Sequence, residues 1–155
     1  MRQHSLVASS ILLLALTLAL AVVAVAADSN VGTWKLNLSQ TKSGGPAPQS
    51  VTIKIEGQDN GVKFARDTVD AEGKTAHLEF SAKYDGKDYP MAGNTTIALT
   101  RIDANSVDAV IKNGGKEMMR ERWVVSADGK TRTVTQEGKN AKGEAVTTIR
   151  VFDRQ

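Results

Sequence analysis

The chain has 155 residues, with 20 Lys and Arg against 17 Asp and Glu and a formal charge of +3. The basic residues are spread thinly, which excludes the dense cationic cluster that tracks a nucleic-acid backbone. Its lack of cysteine excludes a disulfide framework, a thiolate metal site and a lipid-modified cysteine.

Residues 11–27 form an apolar run without a charge, preceded by Arg2 and His4 and followed abruptly by Asp28-Ser29-Asn30. Ala24 and Ala26 satisfy the small-x-small rule of signal peptidase, so residues 1–27 read as a secretory signal cut after Ala26 or Ala27. An uncleaved membrane anchor is the rival reading, since such a run can just span a bilayer. The Ala-rich composition and the cleavage-compatible end favour removal, and the product is expected in the periplasm or outside the cell. What remains, 28–155, is the size of one domain and carries 19 basic and 17 acidic side chains.

Alternation with period two recurs through the mature chain, whereas no window sustains the 3.6 period of a helix. It predicts strands at Gly32–Leu38, Ser50–Gly57, Val62–Val69, Lys74–Tyr84, Thr95–Ile102, Ser106–Lys112, Lys116–Ser126, Lys130–Glu137 and Glu144–Asp153, with a short tenth around Lys87–Pro90. Between them, Asp59-Asn60-Gly61, Asp70-Ala71-Glu72-Gly73, Asp85-Gly86, Asn113-Gly114-Gly115, Ala127-Asp128-Gly129 and Asn140-Ala141-Lys142-Gly143 each offer a glycine for the positive φ of a tight hairpin. Neighbouring strands are therefore antiparallel. Lysine follows four of these turns, at Lys74, Lys87, Lys116 and Lys130, as a solvated hairpin end and without the strand-to-helix context of a phosphate loop. The one long irregular stretch, Ser39–Gln49, contains Gly44-Gly45-Pro46-Ala47-Pro48 and belongs across a barrel mouth.

The same alternation assigns faces. Val51, Ile53 and Ile55 share a side, as do Val62 with Phe64, and Ala76, Leu78, Phe80, Ala82 and Tyr84. Later come Ile97 with Leu99, then Val107, Ala109 and Ile111, then Trp123 with Val125. Thr52, Lys54, Glu56, His77, Glu79 and Lys83 fall on the opposite, wet side. One apolar and one wet face per strand predicts an all-β fold, a closed antiparallel up-and-down barrel of 8–10 strands.

The first strand reads Val31-Gly32-Thr33-Trp34-Lys35-Leu36-Asn37 and the last Thr147-Thr148-Ile149-Arg150-Val151-Phe152. Together they resemble the lipocalin and fatty-acid-binding-protein superfamily, and the whole looks like the exported lipocalin-like proteins of bacteria. In that group a Gly-x-Trp on the first strand faces the closed end of the barrel, with an arginine of the last strand near it. The resemblance implies that Trp34 and Arg150 pair there and hold the barrel shut by cation–π stacking. Fatty-acid-binding proteins also end in Arg-x-Tyr, which grips a ligand carboxylate; here Phe152 replaces the tyrosine and its hydroxyl is lost. Their helix-turn-helix lid is also absent, with the Gly/Pro loop in its place.

Other constellations are ordinary. His77 and Glu79 share a face, but the mature chain offers no second imidazole for a metal. No Gly-x-Ser-x-Gly elbow accompanies His77. Asp67 with Asp70, and Glu117 with Glu121, read as solvated charges rather than an acid–base pair. Around them, Arg120 and Arg122 are charged, and Met118 and Met119 read as one outward and one inward. The sequence thus predicts a non-enzymatic, cofactor-free, monomeric exported barrel, not embedded in a membrane and not bound to nucleic acid. It would hold a small hydrophobic or amphipathic ligand against Trp34, Phe64, Leu78, Phe80, Tyr84, Leu99, Trp123, Arg150 and Phe152. The alternative is a cell-envelope module with a packed interior that binds a protein or glycan through its loops.

Overall fold

A computed structural model describes residues 27–42, 45–140 and 142–155, so residues 1–26 of the expected signal lie outside it. Ten strands follow one another: β1 Gly32–Leu36, β2 Ser50–Gln58, β3 Gly61–Val69, β4 Thr75–Lys83, β5 Asp85–Pro90, β6 Thr95–Arg101, β7 Ser106–Asn113, β8 Lys116–Val125, β9 Thr131–Lys139 and β10 Ala145–Arg154. No helix is present among the described residues. The fold is an all-β, up-and-down antiparallel barrel, nearly closed.

The strands form one sheet in the order β4-β3-β2-β1-β10-β9-β8-β7-β6-β5. Every ladder is a hairpin between chain neighbours except one, in which β1 meets β10 with Trp34 opposite Arg154 and Leu36 opposite Phe152. The barrel is thus stitched in its middle by the two ends of the domain. Its seam lies between β4 and β5, which are neighbours in space without a ladder between them. Across the interior, the Phe64 ring of β3 stacks on Trp123 of β8 at 5.9 Å and on Phe80 at 4.8 Å, so opposite walls touch.

Alternation explains the core. Val51, Ile53 and Ile55 of β2, and Val107, Ala109 and Ile111 of β7, are buried while the residues between them are not. Met119 packs on the core and Met118 faces out. Ala76, although in phase with Leu78 and Phe80, is exposed near the start of β4.

Most hairpins place glycine at positive φ, as at Gly73, Gly129 and Gly143. Asp85-Gly86, expected as a hairpin turn, instead opens β5, where the pairing with β6 shifts register between Asp85 and Asp88 and Gly86 takes a φ of 73°. The β2–β3 turn departs from expectation: Asn60 adopts the left-handed conformation, at φ 50°. Asparagine tolerates this because its short side chain can bond locally. Gly61 serves another purpose, since a Cβ there would collide with the backbone of Ala82 on β4.

Candidate functional site

The lower end of the barrel, where β1 and β6 meet the turns after β2 and β8, is closed by the residues that precede β1. Trp34 is fully buried, and its indole N–H donates to the Asn30 carbonyl at 2.9 Å. The Arg154 guanidinium lies over the Trp34 ring at 4.1 Å and donates to the carbonyls of Gly129, Val31 and Ser29. Glycine suits position 32, whose φ of 141° strains any other residue and where a Cβ would push the Arg154 guanidinium aside.

This corrects the expected partner of Trp34. Arg150 and Arg154 have the same parity on β10, so both point inward, but the register sets Arg154 opposite Trp34. Arg150 lies four residues further along, about 13 Å up the strand. There its guanidinium donates to Gln136 Oε1 at 2.6 Å.

Asp28 ties the same end from another side. Its carboxylate accepts from Tyr84 Oη at 2.6 Å and Arg101 Nη2 at 2.7 Å, and Arg101 covers the Tyr84 ring. Burial pushes the Asp28 carboxyl up, but hydrogen bonds from Tyr84, the Asn30 amide and Arg101 outweigh it and hold the group below its ordinary value. The Tyr84 hydroxyl is pushed up in turn, by burial first and then by the bond to Asp28. Such a depressed carboxylate contributes stability above its unfolded value, near 3.9, and loses it as the pH falls through the folded value below. We expect Asp28→Asn to lower stability by about 1–2 kcal/mol at neutral pH. In urea unfolding at a series of pH values, the gap to the unmodified protein should close below about pH 4.

Above this floor the interior opens into two adjoining cavities of about 240 and 270 Å³. They share Phe64, Arg66, Glu121, Trp123 and Arg150. Phe152, Val134 and Ile53 line the first, with Pro46 and Pro48 of the long loop at its rim. Leu78, Phe80, Met91 and Ile97 line the second. Of the residues expected to meet a ligand, Phe64, Leu78, Phe80, Trp123, Arg150 and Phe152 face these cavities. Trp34 and Leu99 instead lie fully buried off the cavity walls, and Tyr84 belongs to the Asp28 cluster.

Of the polar half of the site, sequence reasoning found Arg150 and missed Arg66, Glu121 and Arg132. Arg132 on β9 is 1% exposed; its ring neighbours are Trp123, 4.6 Å from the guanidinium carbon, and Phe152 at 5.9 Å. Among the described residues its guanidinium makes one hydrogen bond, a long one of 3.4 Å from Nε to Asn30 Oδ1, and both terminal nitrogens lack a partner. Burial pushes Arg132 down to about 10, against the pull of Glu121, Tyr84 and Asp28. Arg66 is also pushed down by burial, relieved by Glu121 and aggravated by Arg150.

Glu121, expected to be solvated, is half-buried on the cavity wall, where its Oε2 accepts from the Trp123 indole at 2.8 Å. It stands two residues before Trp123 on β8, and strand parity turns both inward. The remaining charges behave as surface groups. His77 meets Asp67 at 2.6 Å on the outer face, Glu117 is held by Arg120 and Asp108 by Arg122. No group of metal-binding side chains occurs among the described residues.

The fold is consistent with a calycin-like barrel. A scan against protein-family models matches none, and a search of curated proteins finds no similar sequence.

Proposed function

We propose that the protein is an exported, non-enzymatic barrel that carries a small amphipathic molecule in its interior. The observation that supports this most directly is Arg132. A guanidinium buried among Trp123 and Phe152, with two unpartnered nitrogens, is costly in a protein that has no use for it. On the wall of an apolar cavity it is a group prepared for an incoming acceptor. The cavity also weighs against the alternative of a packed barrel that works only through its loops.

The volume suits a compact ligand. At about 30 Å³ for a water-sized atom, each cavity holds on the order of eight to nine non-hydrogen atoms. The pocket rings would lie against the tail and the arginines against a polar head. Native mass spectrometry of the protein from its own host should reveal a small co-purifying adduct. Removing it and adding it back should change the fluorescence of Trp123. A barrel that carries no adduct, and whose fluorescence ignores added amphiphiles, would overturn the reading.

A further inference from the structure

The cavity holds more positive charge than its walls neutralise. Arg66, Arg132 and Arg150 line it, and Glu121 is the sole carboxylate among its described lining residues. One Glu121 oxygen is engaged by the Trp123 indole, and its charge reaches Arg66 and Arg132 through space. Arg150 is hydrogen-bonded to the neutral Gln136, and it lies close enough to Arg66 for the two to repel. No hydrogen bond to the Arg66 guanidinium occurs among the described residues, and Arg132 keeps both terminal nitrogens unpartnered. Setting Glu121 against one guanidinium leaves two positive charges without a counter-charge in the cavity.

Charges held away from water are costly until paired, and their attraction for an anion is stronger there than in solvent. A carboxylate head would offset one of the two. A head with two charges on one compact centre offsets both, and its several oxygens match the planar donor forks of arginine. We propose that the ligand's head is a doubly charged anion of the phosphate-monoester class, seated among Arg66, Arg132 and Arg150. The tail then lies against Phe64, Trp123 and Phe152. This rests on the carrier reading above and adds the charge and kind of head.

The test is calorimetric titration of the ligand-stripped protein at pH 8 with four probes: hexyl phosphate, hexyl sulfate, hexanol and inorganic phosphate. Hexyl sulfate keeps the tetrahedral shape and the tail but carries a single charge. Hexyl phosphate is expected to bind at least about tenfold more tightly than hexyl sulfate, and hexanol more weakly than either. Arg132→Met, and separately Arg66→Gln, should reduce the preference for phosphate over sulfate. Equal affinity for hexyl phosphate and hexyl sulfate overturns the double charge and leaves the carrier reading standing. Equal affinity for hexanol overturns any anionic head, again without touching the carrier. Failure of all three tailed probes overturns both. Inorganic phosphate binding as tightly as hexyl phosphate supports the doubly charged anion and overturns the tail.

Discussion

Arg154→Met is expected to destabilise the protein by about 2–4 kcal/mol, which for a domain of this size lowers Tm by roughly 10 °C. The substitution removes a cation stacked on Trp34 and three hydrogen bonds to the carbonyls of Gly129, Val31 and Ser29. Those carbonyls come from the turn after β8 and from the segment before β1, so one side chain fastens two other stretches of chain to β10. The figure stays below a sum of the separate contacts because the Arg154 side chain is partly solvated, where such bonds are weaker. Arg150→Met is the matched control. It removes one bond to Gln136 further up the same strand, and its effect should stay within about 1 kcal/mol. Thermal unfolding of the two variants side by side separates the roles. Equal losses would show that the floor is not organised around Arg154.

Arg132→Met should act in the opposite direction and make the ligand-free barrel more stable, by about 1–4 kcal/mol. The guanidinium is removed from water, and the rings of Trp123 and Phe152 with one long bond to Asn30 do not replace its hydration. Cation–π attraction returns up to about 2 kcal/mol when desolvated, less than the several kcal/mol of the desolvation penalty. Methionine fills similar space with a flexible apolar chain. Chemical denaturation of ligand-stripped protein measures the gain. A variant less stable than the unmodified protein would mean that Arg132 is a structural strut, which would remove the main support for the carrier reading.

The fold is legible in the sequence because it is built from local signals. Val51-Thr-Ile-Lys-Ile declares its faces by alternation, and turns such as Asp128-Gly129 mark hairpins without reference to the rest of the chain. The short β5 is foreshadowed in part: Lys87–Pro90 lies within it, but Asp85 and Gly86, expected as a turn, are its first two residues. The cavity's apolar wall was readable for the same reason.

Of its charged wall only Arg150 was, through the resemblance, because a charge on a strand is ordinarily placed outward by default. The contrary signal lies in parity: Arg66 is in step with Phe64, Glu121 with Trp123, Arg132 with Val134 and Arg150 with Phe152. Following the phase through the charges would have turned Arg66, Glu121 and Arg132 inward as well. Parity cannot distinguish Arg150 from Arg154, however, since both have it. Only the pairing of Trp34 with Arg154 across β1 and β10, a contact between residues 120 positions apart, makes that choice. Long-range register of this kind leaves no mark in either segment alone.

The pairing of β1 with β10 also sets the order in which the molecule can be finished. A polypeptide made from its amino end delivers β1 first and its mate last, so β1 must wait with one hydrogen-bonding side vacant while every other strand is added. Such a wait invites the wrong neighbour, a risk that grows with the length of the bare edge. At five residues β1 is the shortest strand of the sheet. Its brevity keeps that temporary template small until Phe152 and Arg154 arrive to occupy it.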